Sequence, residues 1–391
     1  MEETKKVVYL DSALATYVNR EVLQEMMPAF NSVYANPNSA HSLGRHAKHY
    51  VEIARQRVAN GINAKRDEIY FTSGMTEANN WAILGLARAN KNKGKHIITS
   101  KIEDKSVLLA CKQLEKEGFE VSYVGCDDHG VVSLSQIMGA MKKDTILVSI
   151  NVANAEVGTI QNLNAIARTV KEKDILFHCD ATAALGAMKL DVEAVPIDAM
   201  TLASDVIYGP KGVGALYVKE GVEIESFMLG NNAENGLRAG NLDVPAIVGF
   251  GKAVELATND IEFKGHKLKI VRDYLVRNIQ EKIENVTLNG HQSQRVNNIA
   301  NLTFDCVDNE ALCTMLDLNG ICVTPVSTRF EPSYVLKAMR KTPEQIHSSV
   351  RFSIAKNVSK SDVDYVVEKL VSIVKKLREV SPLRKSTKEG K

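Results

Sequence analysis

The sequence predicts an α/β protein. It reads as a large domain built on a mainly parallel seven-stranded sheet, followed by a smaller α+β domain. Two patterns carry this reading. From about residue 65, short apolar runs alternate with helical stretches, which implies βαβ units and a sheet covered on both faces. After about residue 260 the alternation stops, and a long charged helix leads into a few strands and a last amphipathic helix.

Taken in order, "EIYFTSG" reads as a strand and "TEANNWAILGLARAN" as the helix after it. "HIITS", "EVSYVG", "TILVSI", "ILFHCD", "AMTLAS" and "GALYV" read as six more strands, with helices such as "SVLLACKQLEKEG" and "NLNAIARTVKEK" between them. In such sheets ligands bind at the carboxyl ends of the strands. Farther on, "FKGHKLKIVRDYLVRNIQEKIEN" reads as a helix, and "NIANLTF" and "SVRFSI" as strands. The last helix is expected to start on a capping box of Ser361 and Asp364 and to bury a stripe from Val363 to Leu377. The expected division is a large domain over 15–260, a small domain of 1–14 with 261–380, and a mobile basic tail over 381–391.

Composition excludes several classes. The 391 residues carry 49 Lys and Arg against 47 Asp and Glu, so bulk charge does not suit nucleic-acid binding. No apolar run is long enough to span a membrane, and the first residues lack the apolar core of a signal peptide, so a cytoplasmic protein is expected. The six cysteines show no C-x-x-C spacing, so no metal site is expected.

Two turns look equipped for chemistry. "FTSGMTEANN" puts Gly74, Met75 and Thr76 at a strand-to-helix turn, either an anion site or a plain helix cap. "HCDATAALG" puts Asp180 at the end of an apolar strand. A carboxylate there can hold a protonated pyridine nitrogen, as pyridoxal phosphate enzymes require, or it caps the next helix.

Together these segments resemble a known family. "VYLDSALATYVNREVLQEMMPAF", "NPNSAHSLGRHA", "FTSGMTEANN", "HIITSKIED", "ILVSINVANAEVGTIQ", "HCDATAALG", "IYGPKGVGALYV", "GLRAGN", "EPSYVL" and "VRFSI" occur in the order expected of cysteine desulfurases. These are class V, fold-type I aminotransferase-like pyridoxal phosphate enzymes of iron–sulfur cluster assembly. The resemblance runs from Val8 to about Leu383, and "LREVSPL" looks like the end of the family's housekeeping branch.

The resemblance also implies losses. Where the family has a His-Lys pair before Tyr-Gly-Pro-Lys-Gly, this chain has Asp205-Val206, and valine cannot form the Schiff base. The ring-stacking histidine becomes Asp104. Ala155, Ala183 and Ala203 replace side chains that contact the cofactor, with Ser204 adjacent, and Asn241 replaces a threonine that reaches the partner subunit's phosphate. The loop ahead of "EPSYVL" is shorter and lacks the nucleophilic cysteine, while Cys322 reads as part of a strand. Arg351 matches the substrate-carboxylate arginine, or serves as a structural ion pair.

Hydrogen bonds to a charged group contribute about 1.5–3 kcal/mol each, so losing three costs about 5–9 kcal/mol. Pyridoxal phosphate is therefore expected to be weakly bound or absent. The expectation is a catalytically degenerate homologue with Gly74, Met75, Thr76, Asp180, Ser204 and Arg351 as vestiges. It is expected to be a homodimer that binds or scaffolds in or near iron–sulfur cluster assembly. An iron–sulfur scaffold protein and an active desulfurase paralogue are the partners implied. An active enzyme with rerouted chemistry is the alternative.

Overall fold

The computed structural model describes residues 6–381. Seven short strands build the large sheet: β2 (Ile69–Thr72), β3 (His96–Ser100), β4 (Glu120–Val124), β5 (Thr145–Ser149), β6 (Leu176–Asp180), β7 (Ala199–Ala203) and β8 (Gly214–Val218). Their order is β2-β8-β7-β6-β5-β3-β4. The pairs from β7 to β4 are parallel, and β8 runs antiparallel to both β7 and β2. Strands β3, β5, β7 and β8 are buried along their whole length, which is why they show no alternation of apolar and charged residues. One face packs on the helices Arg20–Asn31, Ser42–Gly61 and Val244–Thr258, and the other on the helical stretch around Trp81 and the helix Lys105–Lys116.

A second core joins the chain's beginning to its end. β1 (Val8–Tyr9) pairs in parallel with β11 (Ile321–Cys322). β9 (Val286–Asn289), β10 (Ile299–Phe304), β12 (Thr324–Pro325) and β13 (Ser349–Ser353) form an antiparallel sheet ordered β12-β13-β10-β9. Val8 and Leu10 pack in this core with the helices Ile261–Lys282 and Lys360–Val380.

The last helix starts earlier than expected. Ser359 and Asp362 form its capping box, not Ser361 and Asp364, because Ser359 is the last residue in extended backbone. The stripe holds: Val363, Val366, Val367, Leu370 and Val374 are buried. The expected mobile tail lies outside the described residues beyond Ser381. Among the described residues, no helix is long and apolar enough to cross a membrane.

Candidate active site

A cavity of about 810 Å³ opens at the carboxyl ends of the parallel strands, between the two cores. Met75, Asp104, Asp180, Asp205, Val206 and Arg351 all lie on its wall, as do Ala155 and Ala183. Sequence reasoning thus brought most of its candidate residues to one place.

Asp180 ends β6 and is buried. Its Oδ2 accepts from Asn79 Nδ2 at 2.7 Å, and its Oδ1 accepts from the Thr182 amide at 2.9 Å. The residue therefore caps the following turn and also presents a carboxyl to the cavity. Burial raises its pKa above the usual carboxylate value against those hydrogen bonds.

Asn79 was missed in the sequence, where it reads only as part of a helix. Its Nδ2 also donates to Ser106 Oγ at 2.9 Å, and Ser106 donates through N and Oγ to Asp104 Oδ1 at 2.7 and 2.6 Å. Asp104 is thus the N-cap of the helix Lys105–Lys116 as well as a wall residue. The signal was available: an Asp directly before an apolar-periodic helix.

Gly74 caps the short helix Met75–Asn80 at φ 143°, where only glycine is comfortable. The amides of Met75 and Thr76 stand in the first turn, which has no intrahelical acceptors. Glu77 in that turn accepts from the Ser73 amide at 2.8 Å and pairs with Arg238 at 2.7 and 3.0 Å. Ser204 is placed elsewhere. It is not on the cavity wall, and a Cβ on Gly209 would meet its Oγ at 2.0 Å.

Two further carboxyls line the cavity. Burial pushes Glu103 up to about 8 and Glu156 up to about 7. Ser100 Oγ donates to Glu103 at 2.5 Å, and Ser333 Oγ donates to Glu156 at 2.5 Å. Burial also raises Asp205. Arg351 is tied down: Nη2 reaches Asp11 Oδ1 at 3.1 Å, and Nη1 donates to the Ala155 carbonyl at 3.2 Å.

Nucleophiles are scarce. Among the described residues, no cysteine lines the cavity. Burial pushes the thiols of Cys111 and Cys313 up to about 12, which suppresses thiolate. Cys322 sits in β11, as its sequence context suggested, although it is only half-buried. Among the described residues, the wall lysines are Lys264, Lys267 and Lys356. Lys264 Nζ donates to two carbonyls, while Lys267 and Lys356 stack on Phe263 and Tyr208 at 4.2 Å. Lys211 Nζ turns away to the Thr16 carbonyl at 2.8 Å.

The class-V aminotransferase family profile matches residues 8–366. The chain is 44% identical to the cysteine desulfurase IscS of Methanosarcina thermophila, over 97% of this chain and 94% of that one. It is 43% identical to the IscS of Clostridium botulinum, over 97% of both. Among solved structures, a NifS-like protein matches with a TM-score of 0.90 at 34% identity, covering 95% of this chain and all of that one. A structure of SspA in complex with cysteine matches with a TM-score of 0.77 at 32% identity, covering 88% of this chain and 98% of that one.

These likenesses correct one expectation. Weak or absent pyridoxal phosphate was expected. The relatives are cysteine desulfurases, which are pyridoxal phosphate enzymes, so the family points to that cofactor for this chain. The count of lost contacts left out what is kept. Asp180, held by Asn79, suits a ring nitrogen, and the Met75 amide in the first helical turn suits a phosphate, whereas Gly74 and Thr76 are not on the cavity wall. The residues fit the group at those two ends. At Val206 they offer no amine for a covalent bond.

Proposed function

Because the chain belongs to the class-V aminotransferase family and matches its cysteine desulfurases over nearly its whole length, we propose that it binds and scaffolds in or near iron–sulfur cluster assembly without releasing sulfur from cysteine itself. The observation that carries this is the cavity wall, which has Val206 in place of an amine and, among the described residues, no cysteine. In this reading Val206 stands where the family has its Schiff-base lysine, and Asp205 and Asp104 stand where it has histidines.

The cofactor is then held by non-covalent contacts alone. Asp180 takes the ring nitrogen, and the Met75 amide takes the phosphate. When bound, the group supplies an electron sink for bonds at an amino acid's α-carbon. The chain's own residues do the rest. Asn79 orients Asp180, Asp104 anchors the helix behind it, and Tyr334 braces the wall by donating to the Glu103 carbonyl at 2.8 Å.

The assembly proposed is a homodimer. Leu23, Met27 and Phe30 form one exposed apolar face of the helix Arg20–Asn31. The segments expected at the subunit junction lie together, with Asn36 Nδ2 donating to Asn241 Oδ1 at 3.1 Å. An active desulfurase paralogue is the alternative second subunit, and an iron–sulfur scaffold protein is the proposed client.

One observation favours a second reading, an enzyme with rerouted chemistry. Glu103 and Glu156, near 8 and 7, can exchange protons at neutral pH. Purification of the tagged chain under native conditions tests the first reading. It expects a desulfurase paralogue or a cluster scaffold protein in stoichiometric amount. Recovery of the chain with neither counts against scaffolding.

A further inference from the structure

The cavity wall has two chemically different parts. Glu103, Asp104, Glu156, Asp180 and Asp205, its acidic part, follow the ends of β3, β5, β6 and β7 or close them. The other part is apolar and is built by the end of the helix Val244–Thr258, the helix Ile261–Lys282 and the segment after β13. Ala187, Leu256 and Ala257 on it pack against the large-sheet core, and Leu268, Val271 and Val358 pack against the second core. All six are half-buried, so the two cores face each other across the cavity here instead of sealing together.

Amines border this apolar part. Lys264, Lys267, Leu268 and Val271 recur at helical spacing, so one face of their helix turns both amines and apolar side chains to the cavity. Lys264, Lys267 and Lys356 are exposed residues, so a ligand can reach them. Lys356 Nζ lies over the rings of Tyr208 and Tyr17, at 4.2 and 5.4 Å, and among the described residues it has no hydrogen bond or carboxylate partner. Lys264 Nζ gives two donors to the Leu256 and Asn259 carbonyls at 2.7 and 2.5 Å, and an ammonium has three. Burial holds the Lys356 amine below its usual value, while Glu21 pulls it up and Lys264 pushes it down. Three lysines thus meet one carboxylate, Glu21, on this part of the wall.

A half-buried apolar chamber favours a ligand body that leaves water, and an ammonium with a free donor favours an anionic head. The cavity, at about 810 Å³, lies in the upper part of the range of about 300–1,000 Å³ found for small-molecule sites. We propose that its apolar part binds a straight-chain aliphatic carboxylate, with the chain between Leu256, Leu268 and Val271 and the carboxylate on the amines of Lys356 and Lys264.

The test is calorimetric titration of the full chain with octanoate below its micellar concentration, with acetate and octylamine as separate arms. Lys356→Met keeps an apolar stem over Tyr208 and removes the charge at an exposed position. The expected result is one octanoate bound per chain, saturably, with affinity about tenfold lower in Lys356→Met at unchanged melting temperature. Acetate, which lacks the chain, and octylamine, which lacks the negative head, are expected not to bind. No saturable octanoate binding, acetate or octylamine bound as tightly as octanoate, or equal octanoate affinity in the wild type and Lys356→Met overturns the proposal.

Discussion

Arg351 Nη2 lies 3.1 Å from Asp11 Oδ1, and Thr324 Oγ1 donates to Asp11 Oδ2 at 2.6 Å. The pair is nearly buried and fastens the beginning of the chain to β13 and β12. The arginine that would meet a substrate carboxylate is thus also a structural clamp.

Arg351→Ala should therefore lower stability as well as change the cavity. Breaking a buried pair costs about 3–5 kcal/mol, because the remaining charge loses its partner. Urea unfolding should show a loss of that order. A loss below about 1 kcal/mol, the range of exposed pairs, would mean the clamp is dispensable.

Stability should fall as pH rises from 6.5 to 8. Glu103 and Glu156 have folded pKa values of about 8 and 7, above the unfolded 4.5. The folded chain holds extra protons in that window and loses this advantage as they leave. His178, held down to about 3, opposes the trend only below its unfolded 6.5. Urea midpoints at both pH values check the slope, and Glu103→Gln should flatten it. A midpoint that rises with pH would contradict the assignment.

Pyridoxal phosphate should bind the protein through Asp180 and the Met75 turn without a covalent link, since position 206 has no amine. Val206→Lys should improve retention only modestly, because the new amine can pair with Asp104 or Asp205. Adding Asp104→His and Asp205→His should raise retention further. Asp104→His also removes a helix cap, at about 1 kcal/mol. Absorbance after borohydride treatment and dialysis reads all three, and borohydride fixation of the group to the wild-type chain would show another attachment point.

The double change Met27→Asp, Phe30→Asp puts charges on the exposed apolar face of the first long helix. Light scattering should give a dimer mass for the wild-type chain and a monomer mass for the variant. A wild-type monomer at micromolar concentration removes the dimer from the account.

The large sheet was legible because its strands are short, apolar and bounded by turns. All seven runs from "EIYFTSG" to "GALYV" are strands of that sheet. Strand direction was less legible, since β8 turns antiparallel without a change of pattern. Asp104 and Asp180 were visible as candidates, but Asn79, which links them through Ser106, was not. Nothing local distinguishes an inward-facing asparagine from its neighbour Asn80, whose amide bonds its own helix at the Thr76 carbonyl. Ser204 misled because adjacency in sequence does not fix side-chain direction, and its hydroxyl points at Gly209.

A chain with Val206 and no cavity cysteine is expected not to release sulfur from cysteine. The most direct measurement is sulfide production from L-cysteine by the purified protein with saturating pyridoxal phosphate and a thiol reductant, against a protein-free blank. The expected rate equals the blank and is unchanged in Cys322→Ser. Protein-dependent turnover above the blank would contradict it and make the chain an enzyme that works without a cavity cysteine.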